Sequence, residues 1–198
     1  PERYFDLDAR QRRAAAHPDD VEAQAALAVA LLVEGKKDAA HEQVEAVLAR
    51  HPRQKLALFT AAQLALARND RTGAARRLKE LLAAGGDGYE VRLMLGRLYL
   101  EQGDLAGGKK QLDLAKKLDP ERARPWMLMA KVLDRAGKKG AEITELKVLV
   151  KLDQQNGAAA MRLVELLAEA RDWRGVREYG QMAYFITPAS ARLHLLLA

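Results

Sequence analysis

Apolar residues recur along this chain at the spacing of helices, three and four apart, and not in the alternation of strands. The stretch LMLGRLYLEQGD (93–104) sets Leu95, Gly96 and Tyr99 on one side of a helix and closes it with Gly103-Asp104. Glycine accepts the left-handed backbone that ends a helix. The same pattern returns every 34 residues. With Tyr89 as position 1, Gly103 stands at position 15, and its counterparts are Gly35, Asn69, Gly137 and Arg171. A second apolar block runs on to position 32, held by Pro18, Pro52, Pro120 and Pro188, with Gly86 and Gln154 in the remaining repeats. Proline cannot continue a helix. The same ruler joins His17 to His51, Leu118 to Leu152 and Asp119 to Asp153. Each period therefore predicts a helical hairpin, helix A followed by helix B.

Two positions within the period are kept small. Position 8 holds Ala28, Ala62, Gly96, Ala130 and Val164, and position 20 holds Ala40, Ala74, Gly108, Glu142 and Val176. Small side chains let helices approach to the short end of the roughly 8–10 Å interaxial range. Position 7 (Leu27, Leu95, Met129, Leu163) and position 11 (Leu31, Tyr99, Leu133, Leu167) supply the large residues that fill the grooves. A bulky residue at Gly96 is expected to overpack the crossing by about 1–3 kcal/mol.

Composition agrees with an all-α chain: 49% of residues are hydrophobic but only 5% aromatic, and most of the apolar content is Ala and Leu, good helix formers. No linker or low-complexity tract interrupts the 198 residues, which predicts one array running from end to end. The uncharged runs AALAVALLV (25–33) and LALFTAAQLALA (56–67) are shorter than the about 20 residues a membrane-spanning helix requires, so no membrane insertion is expected and the segment reads as soluble. Nothing in the sequence assigns a compartment, cytoplasmic or periplasmic. The chain starts at Pro1 and ends on RLHLLLA, and it reads as a piece of a longer protein. Its last residues lack a polar capping helix, which predicts end-to-end self-association.

Chemistry is sparse. The chain has no cysteine, which excludes disulfides, thiolate nucleophiles and cysteine-bound metals. GDLAGGKK (103–110) approaches a phosphate-binding loop, but Lys110 stands where a hydroxyl residue would hold magnesium, and a helix precedes it where a strand is required. His17 and His51 occupy equivalent loops of successive repeats, roughly 10 Å apart, too far to share a metal. Acid pairs such as Asp19-Asp20 stand at helix starts and read as caps. No nucleophile is paired with a base. A non-catalytic chain without metal or cofactor is expected. The net charge of +6 comes from 33 basic and 27 acidic residues, mostly interspersed, so solvated helix faces are favoured over a nucleic-acid stripe.

A 34-residue helical hairpin carrying Leu95-Gly96, Tyr99 and Pro120, or Trp126, Met129, Ala130 and Leu133, resembles the tetratricopeptide repeat (TPR) family. The resemblance spans nearly the whole chain: a helix B over 1–20, full repeats 21–54, 55–88, 89–122, 123–156 and 157–190, and a partial helix A over 191–198. Glu142, Gln154, Arg171 and Gly180 depart from the usual pattern and predict local distortion in the fourth and fifth repeats. Pentatricopeptide repeats, the RNA-binding relatives, have a period of 35, which counts against nucleic acid.

The resemblance implies an α-solenoid whose A helices line a concave groove, with ligand contacts at positions 2, 5, 9, 12 and 13. Those positions hold Ala25, Val29, Leu32, Val33, Phe59, Gln63, Leu66, Leu93, Arg97, Leu100 and Glu101, then Arg124, Met127, Lys131, Asp134 and Arg135, then Met161, Glu165 and Glu169. The groove would pass from apolar to charged. AALAVALLV predicts either a covering partner or a face of exposed Ala and Val. Arg97, Lys131, Arg124 and Arg135 suit an acidic segment beside apolar anchors; alternatively Glu101, Asp134 and Glu165 neutralise them. A carboxylate clamp is disfavoured because position 5 holds no lysine. The implied function is protein or peptide binding that scaffolds an assembly; the alternative is a substrate-positioning arm of a larger bacterial enzyme or secretion-machinery protein.

Overall fold

The computed structural model describes residues 7–186 and 194–195. Among these it contains eleven α-helices and no strand. They are α1 (Leu7–Ala16), α2 (Val21–Val33), α3 (Lys37–Arg50), α4 (Lys55–Ala67), α5 (Arg71–Ala83), α6 (Tyr89–Glu101), α7 (Leu105–Leu118), α8 (Ala123–Arg135), α9 (Lys139–Leu152), α10 (Gly157–Glu169) and α11 (Trp173–Ile186). The A helices α2, α4, α6, α8 and α10 start at intervals of 34 residues, and so do the B helices α3, α5, α7, α9 and α11. The helix expected over 191–198 lies outside the described residues, save for His194 and Leu195. The chain forms two compact units, Pro1–Leu98 and Tyr99–Ala198, with the division inside α6.

Each A-to-B turn is built alike. The residue at position 15 takes a positive φ in all five: Gly35 76°, Asn69 61°, Gly103 84°, Gly137 65° and Arg171 57°. In the last turn the Arg171 N–H donates to the Ala168 carbonyl (3.0 Å) and the Asp172 N–H to the Leu167 carbonyl (2.9 Å). These bonds satisfy carbonyls that a helix end would leave open. Arg171 thus holds the turn geometry of the glycines, and the distortion expected there does not occur. Gln154 does not distort the chain either. Helix α9 stops at Leu152, and Asp153 (φ −126°, ψ 79°) leaves it much as Asp119 (φ −150°, ψ 89°) leaves α7 before Pro120.

The B-helix starts fall into two kinds. Asp70, Asp104 and Asp172 cap α5, α7 and α11 by accepting from the N–H of Gly73, Gly107 and Gly175 (2.8, 2.8 and 2.9 Å). A Cβ on these glycines would meet the capping carboxylate at 2.0, 2.2 and 2.8 Å. Lys36 and Lys138 precede α3 and α9 without a side-chain cap, and there the third helical residue is Ala39 or Ala141. Cap and glycine are present or absent together.

In the first unit the core is aliphatic: Ala25, Ala28, Ala40, Val44, Leu58, Ala62, Leu64 and Leu78 are each at most 1% exposed. Thr60 is buried too, its hydroxyl donating to the Leu56 carbonyl of its own helix (2.8 Å). In the second unit Leu149, Leu163, Val164 and Leu167 pack with Val176, Tyr179 and Ala183. Each fully buried leucine contributes about 1.5–3 kcal/mol. The small positions 8 and 20 are buried in every repeat, including Glu142, which is 1% exposed. Among the larger residues Leu95, Met129, Leu163 and Leu167 are buried, whereas Leu27, Tyr99 and Leu133 are only half-buried.

Candidate protein-interaction surface

In the first unit the A helices offer a shallow apolar surface. On α2 the chain itself buries Ala25, Ala28, Ala30 and Leu31 and half-buries Val29 and Leu32; only Val33 stands clear, 57% exposed. On α4, Phe59, Gln63 and Leu66 are half-buried. The all-apolar run of α2 is thus largely covered by its own neighbours. Leu93, expected at the groove, is only 5% exposed and is a core residue of α6. Arg97 is half-buried.

The second unit presents a different face. Helix α8 buries Pro125, Met129 and Ala130, and the opposite side carries Arg124, Met127, Lys131, Asp134 and Arg135, all exposed. At roughly 100° per residue, Arg124, Lys131 and Arg135 lie within about 40° of one another. Met127, 42% exposed, and Asp134 flank this basic line on one edge. On α10 the expected contacts Met161 and Glu165 are half-buried and Glu169 is exposed. Glu169 accepts from the Lys139 ammonium (2.7 Å).

Ion pairing decides which of these charges are available. Arg162 of α10 donates through Nε to Glu142 (2.8 Å) and through Nη2 to both Glu142 (3.1 Å) and Asp134. Hydrogen bonding to the Glu142 carboxylate, helped by the charges of Asp134 and Glu165, holds the guanidinium above the usual arginine range. Burying a carboxylate alone costs several kcal/mol, so Arg162 is the reason glutamate is tolerated at a position otherwise occupied by small apolar residues. Arg162 is not among the residues that the repeat positions single out. Its signal was its uniqueness: position 6 holds Ala26, Thr60, Met94 and Leu128 in the other repeats. Asp134 is drawn to Arg162, while Arg124, Lys131 and Arg135 have no side-chain hydrogen bond or ion pair with any described residue.

A second buried pair lies at the far side of α8. The Lys116 ammonium of α7 sits 2.5 Å from Glu145 of α9 and 4.1 Å from the centroid of the Trp126 ring. It ties three helices through charge and cation–π attraction. In the first unit Asp87 accepts a fork from Arg92, Nε and Nη2 each at 2.7 Å, and these bonds hold its carboxyl below the ordinary range. Two clefts of this unit, of about 440 Å³ and about 340 Å³, each hold one bonded polar pair, Gln24 with Gln43 in the first and Glu45 with Arg77 in the second, beside apolar residues such as Val21 and Val47 or Ala61 and Leu64. Gly103–Lys110, the near match to a phosphate loop, comprises the turn at Gly103-Asp104 and the first six residues of α7. No cluster of three or more metal-ligating side chains occurs among the described residues, and no described helix is long and apolar enough to cross a membrane.

Two family models, each described as a tetratricopeptide repeat, match residues 26–70 and 65–132 and so join into one continuous stretch. The chain belongs to the tetratricopeptide repeat family. No curated protein matches its sequence. Among solved TPR-like structures it is similar to YrrB, described as a TPR protein with an unusual peptide-binding site, at 15% identity and a TM-score of 0.77, covering 96% of this chain and 97% of that one. It is also similar to Pseudomonas aeruginosa pilF (20%, 0.70, 94% and 85%) and to MamA from Desulfovibrio magneticus RS-1 (13%, 0.70, 87% and 98%). These likenesses establish the TPR fold, an all-α helical-repeat solenoid. TPR proteins are generally non-catalytic modules that bind proteins or peptides, and the fold suggests a protein–protein interaction module here.

Proposed function

We propose that this TPR chain is a non-catalytic scaffold that takes a peptide or helical segment of a partner protein against the exposed faces of its A helices. The observation that carries this reading is the exposed face of α8, where Met127 stands beside three cations that no described residue neutralises. An exposed apolar anchor bordered by unpaired charge is the arrangement of a recognition surface, burial giving affinity and charge giving orientation. Val29, Leu32, Phe59, Gln63 and Arg97 are contacts on the A helices of the first unit, where Leu93 lies in the core, and Met161 and Glu165 are contacts on α10 of the second unit. The peptide-binding site named for the structurally similar YrrB favours the same reading.

Photo-crosslinking in cells of the source organism tests it. A benzophenone amino acid at Phe59 or Met127 is expected to trap a partner protein, and the same probe at Thr144 or Lys151 on the B helix α9 is not. Equal capture from both sets, or capture from α9 alone, rejects the A-helix faces as the binding surface.

A further inference from the structure

We infer that the α8 face receives an acidic amphipathic helix, and that Arg162 keeps the face receptive by withdrawing Asp134 from it. The inference rests on the reading of the A-helix faces as the binding surface and names the partner's chemistry.

The spacing of the cations selects a helix over an extended strand. Along α8, Arg124 and Lys131 are seven residues apart and Lys131 and Arg135 four, which at 1.5 Å per residue gives separations of about 10.5 and 6 Å. A strand puts same-face residues at about 6.7 and 13 Å, and its residue at about 10 Å points to the opposite side. A partner helix with carboxylates at i, i+7 and i+11 meets all three cations from one face. Its residue at i+3 falls opposite Met127 and is apolar, and the reversed order fits an antiparallel approach.

Asp134 is the one acid on this side of α8. It lies three residues after Lys131 and adjacent to Arg135, close enough to neutralise the first as an i, i+3 pair. The guanidinium of Arg162 engages it instead, from a position fixed by two bonds to the buried Glu142. Arg162 is thus a positioning residue for a surface it does not itself form.

The test uses the full chain and a fluorescein-labelled helical peptide of about four turns, alanine-based, with glutamates at i, i+7 and i+11 and leucine at i+3. Anisotropy at low salt is expected to show saturable binding that weakens at least tenfold in Lys131→Glu/Arg135→Glu, and at least tenfold when the glutamates are replaced by glutamine. Lys109→Glu/Lys110→Glu on α7 is expected to change it less than twofold. The Arg162→Met/Glu142→Met double variant removes both buried charges together and so keeps the core neutral. It is expected to weaken binding about three- to tenfold, and adding Asp134→Asn is expected to restore it. No saturable binding, equal losses in the α7 and α8 charge reversals, or displacement of the peptide by an equal charge of polyuridylate overturns the acidic-helix assignment. Failure of Asp134→Asn to restore binding overturns the role of Arg162. A crosslinked partner that survives the α8 charge reversals would leave the A-helix surface standing and reject only this inference.

Discussion

Arg171 carries a left-handed backbone at φ 57° in a turn where three of five repeats use glycine. A residue with a Cβ pays about 1–2 kcal/mol for that conformation, part of which glycine returns through the entropy of its unfolded chain. Arg171→Gly is therefore expected to raise stability by about 0.5–1 kcal/mol, seen as a higher urea midpoint at unchanged slope. A lower midpoint would show that the arginine side chain contributes more than its backbone costs. Asn69, which tolerates the same region, should gain less on the same change. Asp87 is one residue whose protonation bears on stability. Its folded pKa is lowered by the Arg92 fork, so its contribution is complete above the unfolded value of about 4 and is lost as pH falls through the lower folded value. In Asp87→Asn the stability deficit should be constant above about pH 5 and shrink below about pH 4. A deficit that persists to pH 2 would refute this assignment.

At the scale of the helix, the paired choice of cap and glycine makes an internal contrast. Asp104→Ala should cost about 1 kcal/mol because α7 loses its cap, whereas Lys138→Ala should be nearly neutral because Lys138 caps nothing. Equal effects in the two thermal unfolding curves would contradict the assignment. The helices and their turns were legible in the sequence because each rests on a local demand: a left-handed residue at position 15, small residues at positions 8 and 20. Side-chain availability was not. Leu93 and Met127 share repeat position 5, yet one is 5% and the other 42% exposed, because exposure depends on what packs over each site. Pairing across helices was hidden for the same reason. Glu142 stood out as a departure, but its answer lay 20 residues on in Arg162, a relation that no spacing rule within one repeat contains.

Across the whole molecule the net charge of +6 is spread thinly. Arg77, Arg92, Lys109, Lys116 and Arg162 are all engaged by acids, and a nucleic-acid surface requires an uninterrupted basic track. Filter binding with single-stranded RNA at about 150 mM salt is expected to show no saturable retention; tight, salt-steep retention would restore the RNA reading. The regular spacing of helix starts has a further consequence. Removing or duplicating any 34 residues would join each helix to its counterpart, so in backbone terms one repeat can stand in for another. The Glu142–Arg162 pair withdraws that freedom at one junction. If residues 55–88 followed residue 156, Thr60 would arrive where Arg162 is needed, and Glu142 would face it without a counter-charge. The pair acts as an address: it specifies which repeat must follow the one that carries Glu142.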